Sequence, residues 1–127
     1  MTLLDPTNQP LEEWRPGVMT RMLVSARTGA QTLCVFEQFC APGTGAPTHT
    51  HTVEEVLTVL SGTAEIWVGA VHHTATAGHC VVIPPHIPHG FRNTGTATLH
   101  MQAIVAAAIF EATFEATQET RRRWAPD

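Results

Sequence analysis

The chain contains no lysine; its seven basic residues are all arginine. Three of them, Arg121, Arg122 and Arg123, sit together near the C-terminus, so no basic stripe runs along the sequence. Eleven acids bring the formal charge to −4, which makes a nucleic acid a poor partner. Charged residues are only 14% of the 127 positions, against 43% hydrophobic. That balance excludes a disordered chain and suffices for one domain, residues 1–127, with a single core. No apolar run approaches the ~20 residues that cross a bilayer as a helix. The opening "MTLLDPTNQP" has neither a basic leader nor a long apolar segment, so it reads as mature sequence and the protein as cytoplasmic. Cysteine is scarce too. Cys34, Cys40 and Cys80 are an odd number without a Cys-x-x-Cys pair and read as reduced thiols acting as small hydrophobes.

What is present is a series of short apolar segments punctuated by glycine and proline. "TLCVFEQFC" (32–40), "EEVLTVLS" (54–61), "TAEIWVG" (63–69), "HCVVIPP" (79–85), "HGFRN" (89–93) and "TLHMQAIVAAAIF" (98–110) favour strands, and nothing between residues 30 and 105 has a helical period. Turn signals at this spacing predict an all-β sandwich or barrel. Residues 1–20, with prolines at 6, 10 and 16, read as an irregular N-terminal arm. The tail 111–127 is open: its FEAT repeat would align Glu111, Glu115 and Glu119 on a helix, yet "EATFEA" could equally be an edge strand. In 63–69 alternation sets Ala64, Ile66 and Val68 on the inner face, opposite Thr63, Glu65 and Trp67. An outward Trp67 hints at cover by a second subunit.

Histidine is the one abundant residue of chemical interest, with eight copies. His49 and His51, two apart on a strand, point the same way with Cα atoms about 6.5 Å apart, so both rings can meet one ion. Glu55 shares parity with Leu57 and Val59 and is carried inward with them. A buried carboxylate without a partner is costly, and a metal removes that cost. His89, after the stiff run Pro84, Pro85 and Pro88, is the best fourth ligand. Two or three imidazoles and a carboxylate suit a divalent first-row ion; Fe, Mn, Ni, Co, Zn and Cu all remain open.

These stretches resemble the two motifs of the cupin superfamily. The first is Gly43, five residues, His49-x-His51, three residues, Glu55, six residues, Gly62; the second is Gly78, five residues, Pro84, then His89, three residues, Asn93. Fifteen residues separate them, as in small prokaryotic cupins, and together they span 43–93. The resemblance implies a six- to eight-stranded double-sheet jelly roll (a double-stranded β-helix), His49, His51, Glu55 and His89 as metal ligands in the barrel mouth, and usually a homodimer. Two positions depart from the pattern. His86 stands where the family commonly has glycine, which predicts a reshaped turn, and His79 stands where aspartate is common.

The other histidines divide. His72 and His73 are expected in a solvated turn, His79 and His86 at the surface or rim. His100 shares parity with Gln102 and Ile104, against Leu99, Met101, Ala103 and Val105. Gln102 is awkward on an outer sheet, which tips the expectation toward His100 and Gln102 lining a polar patch near the metal. Glu37 raises the same question. Glu37, Gln102 and backbone carbonyls are all candidates to accept the second N–H of the ligand imidazoles. Val56, Leu57, Val59, Ile66, Phe91 and Met101 promise an apolar pocket for a small molecule. Three functions are then open: a metal-dependent oxygenase acting on a small enolisable or aromatic compound; a redox-neutral isomerase or lyase using the ion as Lewis acid, with His100 or Glu37 as base; or a binding module without turnover.

Overall fold

Proline and glycine punctuate the chain into hairpins, and alternation decides which side of each strand is buried. The computed structural model describes residues 2–127; Met1, the first residue of the expected arm, lies outside them. Twelve strands form among the described residues: β1 (Leu11–Arg15), β2 (Val18–Val24), β3 (Cys34–Cys40), β4 (Gly45–Thr50), β5 (Glu55–Ser61), β6 (Thr63–Val68), β7 (Val71–Thr76), β8 (Cys80–Ile83), β9 (His89–Asn93), β10 (Leu99–Val105), β11 (Phe110–Phe114) and β12 (Thr120–Arg123). They make two six-stranded sheets, in the orders β1-β2-β3-β10-β5-β8 and β12-β11-β4-β9-β6-β7. All the neighbouring pairs are antiparallel. This is the double-sheet jelly roll that the motifs imply, with twelve strands where six to eight are expected. None of the described residues forms a helix long and apolar enough to cross a membrane.

The sheets face each other across one core. β3 contributes Cys34, Phe36 and Cys40, β10 contributes Leu99, Met101, Ala103 and Val105, and the opposite sheet answers with Ala64, Ile66, Phe91 and Phe110. Burial of that apolar surface, roughly 25 cal/mol per Å², is the main force holding the sheets together. Asn93 closes the second motif structurally: its amide donates to the carbonyls of Cys40 and Ala97, at 2.9 and 2.8 Å, and its Oδ1 accepts from the Gly95 N–H at 2.9 Å. All three cysteines are free. Cys34 and Cys40 are buried, which pushes their thiols up to about 12 and about 11, while Cys80 is exposed.

Four expectations need correction. From Leu11 onward the expected irregular arm is instead ordered: Pro16–Gly17, with Gly17 at φ 82°, is the turn of a β1–β2 hairpin. His72 and His73 lie on β7 rather than in a turn, though both are exposed. At the turn where a reshaped backbone is expected, His86 itself takes the left-handed conformation that glycine favours, φ 67°. Val56 faces away from the core with Thr58 and Leu60, while Glu55, Leu57 and Val59 face in. The open question of the tail resolves as the β11–β12 hairpin, and Trp124 behind it is buried among Trp14, Phe36 and Phe110.

Candidate metal centre

Four side chains from three strand ends converge at one end of the sandwich. His49 lies near the end of β4, and His51 one residue past it; Glu55 opens β5 and His89 opens β9. A bulge makes this possible. Ala46 pairs with Phe91 and His49 pairs with His89, so β4 holds one residue more than β9 between the two pairings. The extra residue, at Pro47–Thr48, puts both Ala46 and His49 on the buried face, and a proline is tolerated at a bulge because the ladder is already interrupted there. The peptide N–H of His86 donates to the His51 carbonyl at 2.8 Å, tying the second motif's loop to the first. Gly90 lets β9 close on its neighbours. A Cβ there would stand 2.5 Å from Cζ2 of Trp67 and 2.6 Å from the Ala46 carbonyl oxygen.

Each imidazole is oriented through Nδ1 by a carbonyl oxygen: Pro47 for His49 at 2.7 Å, Glu111 for His51 at 2.6 Å and Ile87 for His89 at 2.8 Å. A carbonyl can only accept, so Nδ1 carries the proton in all three rings and Nε2 of a neutral ring presents a lone pair. Those lone pairs and the Glu55 carboxylate point at one another: one ligand atom from each of the four residues lies within 4.8 Å of the others. Nε2 of His89 is 3.0 Å and Nε2 of His51 is 3.4 Å from Oε1 of Glu55. All four residues are buried, and Nε2 of His51 has no hydrogen-bond partner. Acceptors facing acceptors in a dry pocket need a cation between them, either a proton or a metal. The electrostatics carry the same stress. Burial raises the Glu55 carboxyl, but the adjacent His51 and His89 overcome it and hold the group down at about 2. Burial, then the neighbouring His89 and His51, push His49 down to about 3. The donor set therefore fits a divalent ion, and the acceptors for the second N–H groups are all backbone carbonyls, not Glu37 or Gln102.

A narrow cavity of about 20 Å³ opens beside His49 and Glu55. That is room for roughly one water-sized group. Its walls are mostly apolar: Trp14, Phe36, Leu57, Phe91, Phe110 and Phe114. The expected lining is right for Leu57 and Phe91. Trp14 and the neighbouring Arg15 were hidden from sequence reading by the assignment of 1–20 as irregular; the signal was the Pro-Gly turn between two β-prone runs. Gln38 also lines the cavity, with its amide donating to Thr20 at 2.9 Å.

His100 and Glu37, the candidate bases, are not near this cavity. Leu99, Met101, Ala103 and Val105 are the buried set of β10, so His100 and Gln102 face outward. There Nε2 of His100 meets Glu37 at 2.7 Å, Glu37 also meets Nε of Arg21 at 3.3 Å, and the His100 ring stacks on Phe39. Gln102 pairs across the strands with Glu37 and Thr58, so the outer sheet supplies polar company that alternation alone does not reveal. Trp67 faces outward as expected, but its indole donates to Thr48 within the same chain at 2.9 Å.

Known proteins agree with this architecture. Comparison with curated protein sequences finds no match. Among solved structures, an RmlC-like cupin from Shewanella frigidimarina superposes with a TM-score of 0.74 at 20% identity, covering 85% of this chain and 92% of that one. The polyketide cyclase RemF from Streptomyces resistomycificus gives 0.74 at 20% identity, covering 100% of this chain and 88% of that one. Oxalate decarboxylase OxdC from Bacillus subtilis gives 0.78 at 20% identity, covering 87% of this chain and 31% of the longer protein. At such identities the likeness shows the fold. The family model of the cupin domain matches residues 36–105, which include both motifs and all four converging side chains, and the chain belongs to the cupin family.

Proposed function

We propose that this cupin is a metal-dependent enzyme that oxygenates a small enolisable or aromatic compound, with one divalent ion held by His49, His51, Glu55 and His89. The observation that carries the proposal is the arrangement of three Nε2 lone pairs and one carboxylate around a buried point, in a cavity whose wall offers no carboxylate or imidazole outside that set. An isomerase or lyase would call for a separate protein base, and the two candidates for that role, His100 and Glu37, face away. When bound, a transition ion supplies Lewis acidity and, for the redox-active members of the open set, one-electron chemistry with dioxygen. The chain's own part is to orient the imidazoles through the carbonyls of Pro47, Glu111 and Ile87 so that each Nε2 faces the ion, to offset one positive charge with Glu55, and to line the cavity with aromatic walls. Protein loaded with Fe(II) without oxygen, mixed with small diketones, phenols and hydroxy acids and then exposed to oxygen, is expected to consume it only with substrate, and Glu55→Ala to abolish the uptake. Equal turnover without oxygen would move the assignment to a Lewis-acid isomerase or lyase.

A homodimer belongs to the same proposal. Its support is an apolar row across the outer face of the first sheet: Val35, Ile104, Val56 and Val82 are successive cross-strand partners on β3, β10, β5 and β8. Val82 is 60% exposed in the single chain. Such a row is a natural cover for a second copy, whereas Trp67 is already engaged inside its own chain. Light scattering that finds a monomer at micromolar concentration would end this part.

A further inference from the structure

Arg15 ends β1 at a neck. It lines the small inner cavity together with His49 and Glu55, and it also lines an outer hollow of about 500 Å³ bounded by Pro47, Thr48, Phe114 and Arg123. Trp14 and Phe114 are shared by both spaces, so the outer hollow is the approach to the inner one. The Arg15 side chain is half-buried, its Nη1 donates to the Gly45 carbonyl at 3.0 Å, and its guanidinium lies over the Phe114 ring. A guanidinium has five N–H donors, and here most have no protein acceptor. Among the described residues the other arginines near this end have carboxylates: Arg121 pairs with Glu119, Arg122 with Glu111 and Arg123 with Glu12. Arg15 has none. Arg123 adds to the imbalance. It stacks over Trp14 at 4.1 Å, its Nε is buried without a partner, and Glu12 is a distant 4.0 Å away. Two carboxylates, Glu115 and Glu119, also line the outer hollow, and Glu119 is spent on Arg121.

Folding gains nothing from desolvating a cation without a counter-charge beside a second cation. A ligand that brings the missing acceptor does. We propose that Arg15, reinforced by Arg123, is an anion anchor at the neck of the pocket, and that the ligand is a small organic acid: a carboxylate on the guanidinium fork and a flat apolar body against Trp14 and Phe114. The fork geometry of arginine matches a carboxylate in two parallel hydrogen bonds, and the aromatic rings match an unsaturated or aromatic body. The inner cavity admits only the tip of such a molecule, so its bulk rests in the outer hollow. The inference deepens the enzyme reading above and depends on it for the identification of the ligand as substrate.

The test uses calorimetry at fixed ionic strength with the whole chain, metal-free and loaded with zinc, which is redox-inert. Benzoate is the probe, benzamide its neutral counterpart and phenyl phosphate the competing anion. Benzoate is expected to bind at least tenfold more tightly than benzamide. Arg15→Gln should remove that preference, Arg15→Lys should keep part of it, and Arg123→Gln should weaken it several-fold, with zinc stoichiometry and thermal unfolding followed in every variant. Unchanged benzoate preference in a folded Arg15→Gln protein overturns the anchor; tighter binding of phenyl phosphate than of benzoate overturns the carboxylate. Protein that takes one zinc but treats benzoate and benzamide alike retires the anchor and leaves the metal centre standing. Protein that binds benzoate through Arg15 but takes no zinc does the reverse.

Discussion

His49 and His51 sit with rings 4.9 Å apart, and their surroundings shift their pKa values in opposite directions. His49 is held down at about 3, chiefly by burial, so it stays neutral in the folded protein while the unfolded chain takes up its proton below ~6.5. Its effect is a loss of stability as the pH falls, about 2 kcal/mol by pH ~5. His51 is raised: burial opposes its charge, but the Glu55 carboxylate beside it prevails. Its contribution is complete below ~6.5 and fades as pH rises through the folded value. Glu55, lowered to about 2, adds stability that is present above its unfolded value and lost on further acidification. Metal-free protein is thus predicted to be most stable near pH ~6.5, with a loss on either side. A metal replaces the proton on His51, so metal-loaded protein should lose the alkaline decline and keep the acid one, where protons compete for the imidazoles. Denaturant melts of both forms across that range decide it; an alkaline decline of equal size in the loaded protein would contradict the assignment of His51. His86 gives a separate residue-scale prediction. Its left-handed φ of 67° costs a side chain roughly 1 kcal/mol that glycine does not incur. His86→Gly should therefore raise stability, by at most about 1 kcal/mol after the entropy cost of glycine, without changing metal content. A destabilised variant would mean that the His86 side chain has a use beyond the turn.

At the level of elements, the β11–β12 hairpin does more than close an edge. β11 brings the Glu111 carbonyl to Nδ1 of His51, and its position is fixed by Phe110 in a cluster with Trp14, Phe36 and Trp124. Trp124, 2% exposed, also donates to Glu12 on β1 at 3.1 Å. Trp124→Ala should cost about 3–5 kcal/mol. Because the Glu111 carbonyl orients a proposed ligand, metal affinity should fall as well, by roughly tenfold. Affinity unchanged in a variant destabilised by that amount would separate the hairpin from the site. None of this tail architecture was legible in the sequence, since a period-four FEAT repeat fits a helix as well as a strand and the deciding contact, Thr113 with Thr50 on β4, is far along the chain. The middle strands were legible because strict alternation fixes their faces: Glu55, Leu57 and Val59 went inward together, as did Ala64 and Ile66. The four converging side chains were legible for the same reason, aided by motif spacing. On β10 the wholly apolar face of Leu99, Met101, Ala103 and Val105 turns inward, and Gln102 is at home on the outer sheet because its cross-strand neighbours Glu37 and Thr58, which alternation does not reveal, are polar. The β1–β2 hairpin is hidden because prolines 10 and 16 suit irregular chain, whereas they mark a strand's start and a tight turn.

On the scale of the whole molecule, the candidate ligands do not belong to one sheet. Glu55 is on β5 in the first sheet, while His49 and His89 are on β4 and β9 in the second, with His51 just beyond β4. One ion held there would clip the two halves of the sandwich at the end where the cavity opens and where the apolar core gives way to polar groups. In the metal-free protein that same end holds Glu55 buried among three imidazoles, with Nε2 of His51 lacking a hydrogen-bond partner. Metal binding should therefore act as a stability switch for the entire fold and not as a local adjustment. A ligand that binds only the native state adds RT ln(1 + [L]/Kd), about 4 kcal/mol at a thousandfold excess over Kd. For a chain of this size that corresponds to a rise in melting temperature of roughly 10–20 °C, reversed by a chelator. Hydrogen exchange should slow at the facing ends of β4, β5 and β9 together, since one ion spans them, with little change in β7, which contributes no ligand. His89→Ala should abolish the temperature shift while leaving the two sheets folded. A melting temperature indifferent to excess metal, or protection gained in only one of the two sheets, would show that these four side chains do not share an ion.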